Sequence, residues 1–162
     1  MDDKILGWLI DEQAPALELF ARQWCDCPQD VVQEALMELV RQRESPDRVI
    51  AWLYRVVRNR AISAGRASRR RQRYETGASA EQFGWFRSTV EDALDAETAA
   101  TALAALPIEE REAIVARLWG GLSFDEIAEM TGTSSSTAHR RYQAGLASLR
   151  ERLRVEEYEE NA

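Results

Sequence analysis

Residues 122–153 read LSFDEIAEMTGTSSSTAHRRYQAGLASLRERL. Ser123 stands three residues before Glu126, the spacing of a capping box. A short helix is therefore expected over 124–130, with Phe124, Ile127 and Ala128 turned inward. Thr131-Gly132-Thr133 breaks it, because glycine takes the left-handed backbone of a tight turn without steric cost. A second helix begins in the serine run, and Ala138, Tyr142, Gly145, Leu146, Leu149 and Leu153 trace one apolar stripe along it. Ser135, Ser136, His139, Arg140 and Gln143 fall on the opposite side. This is the helix-turn-helix arrangement, whose second helix enters the major groove by its N-terminal half. The candidate duplex-reading residues are Ser134, Ser135, Ser136, Thr137, His139, Arg140, Arg141 and Gln143. Short hydroxyls allow close approach and donate to phosphates, while Arg can pair with guanine and Gln with adenine.

The overall charge opposes that reading. Among 162 residues the formal net charge is −7, which repels nucleic acid if spread evenly. It is not spread evenly. Residues 1–50 hold eleven acids against five bases, and residues 51–73 hold eight arginines and no acid. Residues 74–110 hold eight acids against Arg87 alone, and residues 134–154 hold five arginines against Glu151. Two basic islands thus lie on an acidic background. The first, AWLYRVVRNRAISAGRASRRRQRY, interleaves Arg55, Arg58, Asn59 and Arg60 with Trp52 and Tyr54. Arginines that track phosphates beside rings that stack on bases suit single-stranded or melted DNA. Trp52, next to Leu53 on the apolar side, is expected in the core instead.

Helix is expected throughout, since no stretch alternates apolar and polar residues long enough for a strand. Val32, Ala35, Leu36 and Leu39 share one face of a helix, with Gln33, Glu34, Met37, Glu38 and Arg41 toward the other. Ser45-Pro46-Asp47 opens a further helix carrying Val49, Leu53, Val56 and Val57. Residues 9–24 hold at least one more, interrupted or started near Pro15. The expected fold class is all-α: two small helical domains, residues 1–74 and 90–156, joined by a flexible linker over 75–89 and followed by an acidic tail, 157–162.

Other classes of function lack their residues. There is no nucleophile–base pair and no glycine-rich phosphate loop, so an enzyme, such as a serine recombinase carrying a helix-turn-helix, is not expected. Cys25 and Cys27 lie far from His139, the only histidine, which leaves a zinc site short of ligands. No metal or other cofactor is expected. No stretch approaches the ~20 apolar residues of a membrane span, and the N-terminus is acidic, unlike a signal peptide. A cytoplasmic protein is expected, with its two cysteines reduced. An autonomous helix-turn-helix regulator that dimerises on duplex DNA is the alternative reading.

Three stretches in order, DVVQEALMEL, AWLYRVVRNRAI with its trailing arginines, and ALPIEEREAIVARLWGGLSFDEIAEMTGTSSSTAHRRYQAGLASLRERL, resemble bacterial sigma factors of the two-domain, extracytoplasmic-function type. The resemblance implies a subunit that binds core RNA polymerase and directs promoter recognition, DNA melting and transcription initiation. It implies that the DVVQE helix meets the β′ clamp helices through Asp30, Gln33, Glu34 and Met37. It also implies that Arg55, Arg58, Asn59, Arg60 and Arg66, with the 44–49 loop, hold the melted −10 element. The second domain would read the −35 element as duplex and touch the β flap. The implied partners are core polymerase, promoter DNA and an anti-sigma factor, with the free protein a monomer. The recognition helix opens TSSSTAHRRY where many relatives have a Pro-x-Gly-Thr-Val-like start, so their −35 sequence does not carry over.

Overall fold

A computed structural model describes residues 2–75 and 101–160, which contain helices and no strand. The N-terminal helix starts at Asp2, whose carboxylate accepts the Lys4 backbone N–H at 3.2 Å. It runs as α1 (Asp3–Trp8), widens to a π-turn over Leu9–Gln13 and resumes as α2 (Ala14–Ala21). Pro15, at the head of α2, has no N–H to donate to the carbonyl four residues back, and its ring crowds that carbonyl. The helix accommodates it by opening a wider turn, so the interruption expected at Pro15 is a bulge within one continuous helix.

Helix α3 (Pro28–Arg41) begins on a proline, which suits a first turn whose N–H groups have no partner within the helix. Val31, Val32, Ala35 and Leu39 are buried, and Leu36 packs against them half-exposed. Asp30, Gln33, Glu34 and Met37 all face outward. Helix α4 runs from Val49 to Glu75, about 40 Å at ~1.5 Å per residue. It starts two residues after the Ser-Pro-Asp signal and continues straight through the arginine run. Its buried stripe, Leu53, Tyr54, Val57 and Ala61, closes the first core with Leu17, Phe20 and Leu39. The Phe20 and Tyr54 ring centroids are 4.9 Å apart, and Phe20 meets Trp24 edge-on at 5.1 Å.

In the second unit, residues 101–104 are helical and lead through a turn into α5 (Ile108–Leu118), α6 (Phe124–Thr131) and α7 (Ser135–Glu160). Ile114 and Val115 of α5 pack with Ile127 and Met130 of α6 and Ala138 of α7. The two units also touch. α2 packs on α5, α4 packs on α6, and their buried side chains form one continuous cluster. Of the expected linker, residues 76–89 lie outside the described residues. The backbone of α7 reaches Glu160, so residues 157–160 of the expected acidic tail are helical and continue α7.

Gly65 fixes how closely α4 approaches the end of α2. A Cβ at this position would lie 1.9 Å from the Trp24 carbonyl oxygen, a backbone atom that cannot swing away. Gly65→Ala should therefore lower stability by about 3 kcal/mol, the upper end of overpacking costs. Denaturant unfolding of the two proteins measures this, and an unchanged midpoint contradicts the tight contact.

Candidate nucleic-acid interface

The helix pair α6–α7 forms as its local signals require. Ser123 Oγ accepts the Glu126 N–H at 3.2 Å, and a Glu126 carboxylate oxygen accepts the Ser123 N–H at 2.8 Å, completing the capping box. Gly132 ends α6 at φ 69° and ψ 34°, in the left-handed region. Thr131 closes the turn by donating to the Ile127 carbonyl at 2.8 Å and lying 3.0 Å from the Thr133 hydroxyl.

Ser134 is occupied by capping. Its hydroxyl accepts the Thr137 N–H at 3.1 Å and donates to the Thr137 hydroxyl at 2.9 Å, which sets the first turn of α7. Ser136, His139, Arg140 and Gln143 are exposed on one face, and Ser135, Thr137 and Arg141 are half-buried beside them. His139 is held from below by Phe124, edge to face at 4.8 Å, and the Gln143 amide nitrogen stands 3.5 Å from His139 Nε2. Phe124 in turn carries the Arg117 guanidinium 4.9 Å from its ring centroid. The face is thus basic and polar, and its central histidine rests on a packed ring.

The first basic island is less uniformly free than its sequence implies. Asn59 and Arg66 are exposed. Arg60 reaches Glu34 at 2.7 Å and Glu38 at 2.5 Å, joining a residue expected on DNA to one expected on polymerase. Arg55 pairs with Glu129 of α6 at 3.3 Å. Arg58 is half-buried, with its guanidinium 5.8 Å from the Trp24 ring centroid and bonded to Glu112 of α5 through Nε and, at 3.5 Å, Nη2. Arg48 lies 3.6 Å from Glu126. The aromatic part of the reading is corrected at Tyr54: it is fully buried against Phe20 and cannot stack on a base. Trp52 packs against the core, as expected.

Sequence reasoning missed two groups of residues. Arg69, Arg70 and Arg73 join Arg66 and Ser63 around an open cleft of about 520 Å³ on α4. Their helical spacing of three, four and seven residues was the available signal. Glu112, Glu126 and Glu129, the acids that meet the arginines, had no such signal, because their partners are more than fifty positions away.

Cys25 is buried, its thiol donating to the Ala21 carbonyl at 3.6 Å; burial pushes its pKa up to about 12. It is therefore a protonated, unreactive thiol at neutral pH. Among the described residues, no three His, Cys, Asp or Glu side chains are grouped to hold a metal ion. No described helix is long and apolar enough to cross a membrane.

The Sigma-70 region 2 family matches residues 9–73, and the Sigma-70 region 4 family matches residues 97–149. The two matches fall on the two helical units in order and together take in most of the chain. The sigma factor RpoE of Bartonella quintana, solved with the anti-sigma factor NepR, is similar over 96% of this chain and 99% of its own, with 26% identity and a TM-score of 0.73. The chain is an extracytoplasmic-function sigma factor. CnrH, solved with the cytosolic domain of CnrY, shares the fold at 23% identity and a TM-score of 0.59, over 95% of this chain and 90% of its own. No curated protein matches the sequence. As a sigma factor the protein directs transcription initiation, and sigma factors are initiation factors rather than enzymes.

Glu112 gives the sigma factor a pH signature. It is 3% exposed, and burial raises its pKa above the ordinary 4.5, outweighing the hydrogen bond and charge of Arg58. A carboxyl raised on folding contributes stability that is complete below its unfolded pKa and is lost as pH rises through the folded one. The wild type should therefore gain thermal stability relative to Glu112→Gln as pH is lowered from about 7 to about 4.5. Melting both proteins at the two pH values checks the sign, and a relative loss by the wild type contradicts it.

Proposed function

We propose that this sigma factor docks on core RNA polymerase through the outer face of α3, using Asp30, Gln33, Glu34 and Met37. A polar face with one large apolar side chain suits such a contact, since Met37 is 45% exposed among acids and amides and methionine adapts to irregular surfaces. The β′ clamp helices are the surface this face would meet. Arg55, Arg58, Asn59, Arg60 and Arg66 then hold the unpaired −10 strand, with Trp52 at the edge of that surface.

In the second unit, Ser136, His139, Arg140 and Gln143 read the −35 duplex, while Ser135, Thr137 and Arg141 approach the backbone. Ser134 acts by capping the helix that carries them. The unit also meets the β flap. The observation that carries this reading is the exposed face of α7 set on a glycine-turned, capped helix pair. RpoE of Bartonella quintana was solved with an anti-sigma factor, and we extend that mode of restraint to this protein. The working compartment is the cytoplasm, where polymerase and promoter meet.

Two variants separate the two surfaces. Gln33→Ala/Glu34→Ala should weaken binding to purified core polymerase by about tenfold, as expected when interface contacts worth about 1.4 kcal/mol are lost. Arg140→Ala should leave core binding unchanged and reduce protection of the upstream promoter duplex in the holoenzyme. Affinity by fluorescence anisotropy and footprinting read the two effects. Full core affinity of the α3 variant overturns the assignment of that face. Sequence-specific dimeric binding by the free chain would favour an autonomous regulator instead.

A further inference from the structure

Arg60 differs from Arg55 and Arg58 in the acids that hold it. Both lie on α3, and one of them belongs to the docking face. Arg60 Nη1 donates to Glu34 Oε2 at 2.7 Å, and Nη2 donates to Glu38 Oε2 at 2.5 Å. Glu34 and Glu38 are four residues apart, on successive turns of one helix face, where like charges repel. One guanidinium between them replaces that repulsion with two charge-assisted bonds. The Arg60 pKa is raised above its ordinary value, chiefly by the bond to Glu38 and against the opposing effect of burial. Glu38 is also the less exposed acid, its side chain 42% accessible against 61% for Glu34. Glu38 is therefore the anchor, and Glu34 is the group being placed.

The bridge adds little to the fold. α3 and α4 are already joined through the buried cluster that holds Val31, Leu39, Leu53 and Val57, and exposed ion pairs contribute little to stability. Its position suggests another use. It spans an open cleft of about 770 Å³ between the two helices, whose lining includes Asp30, Glu34, Glu38, Asn59 and Arg60. A glutamate surrounded by solvent samples several rotamers, and ordering such a side chain at an interface costs free energy. Arg60 removes that cost in advance. Both of its bonds fall on Oε2, which leaves Oε1 of Glu34 to a donor on a partner.

We propose that Arg60 is a positioning residue for polymerase docking, holding Glu34 in the orientation that the core enzyme meets. It acts on polymerase through Glu34 rather than by contact of its own. A place among the strand-holding arginines remains open to it, since a guanidinium has five N–H donors and the acids take two. The proposal rests on the reading of α3 as the docking face. A simple charge effect has the opposite sign: an acidic face complements a basic partner surface, so loss of a cation from it would strengthen docking.

The test measures the affinity of the labelled full-length protein for purified core polymerase by fluorescence anisotropy, without DNA, so that no strand contact contributes. Arg60→Ala should weaken binding about fivefold, the loss expected when one long side chain must be ordered on docking. Arg43→Ala removes the same charge from an exposed site just beyond α3 and should change affinity less than about twofold. In a Glu34→Ala background, Arg60→Ala should cost nothing further, because the group it places is gone. Thermal melting of Arg60→Ala should stay within about 4 °C of wild type; should it fall lower, Arg60→Gln takes its place in the same cycle. Unchanged or tighter core binding on loss of Arg60, or an equal loss with and without Glu34, overturns the proposal. Full core affinity of Glu34→Ala itself overturns the docking reading instead.

Discussion

Helix α4 must satisfy two incompatible environments along its length. Leu53, Tyr54, Val57 and Ala61 form a stripe with no access to water, and the arginines occupy the rest of the circumference. Rotation of the helix by one position would bury guanidinium groups without partners and expose the core, a cost of several kcal/mol per charge. The register of α4 is therefore fixed, and with it the direction in which every arginine points. Gly65 and Tyr54 then determine what can approach. The first admits the Trp24 carbonyl and the second receives the backbone at Gly120. The seats of α2 on one side and of α5 and α6 on the other follow from those contacts.

The same constraint explains how an acidic protein can serve DNA. Charges of opposite sign are segregated into blocks along the chain, so a net charge of −7 conceals two basic segments. At distances beyond about 8–10 Å salt screens the acidic background, and a phosphate at α7 meets chiefly Arg140, Arg141 and the neighbouring polar side chains. At α4 the acids lie within contact distance and screening offers no relief. The two basic islands therefore differ. The α7 face is open, and the α4 face is partly occupied by the protein's own carboxylates.

How far the sequence discloses this depends on the distance over which each signal acts. The capping box at Ser123 and Glu126, the left-handed turn at Gly132 and the outward face of α3 depend on neighbours within one or two helical turns, and all were legible. The bulge at Pro15 was half legible: a proline announces an interruption, but whether the helix stops or widens depends on what packs around it. Tyr54 was misleading because an aromatic among arginines suits stacking and core packing equally, and only the fold places it against Phe20. Arg58–Glu112 and the close approaches at Gly65 and Gly120 were silent in the sequence, since they arise between residues that only tertiary structure brings together. Arg69, Arg70 and Arg73 were visible as a charge run, yet their common cleft depended on α4 continuing unbroken to Glu75.

The central claim is that surfaces on the two helical units act together, one proposed to meet polymerase and the melted strand, the other duplex DNA. Run-off transcription with purified core polymerase on a library of the source genome's promoters tests it most directly. With the protein added, discrete start sites should appear that core polymerase alone does not use, and Arg140→Ala should reduce them without reducing core binding. Start sites identical with and without the protein would contradict the account.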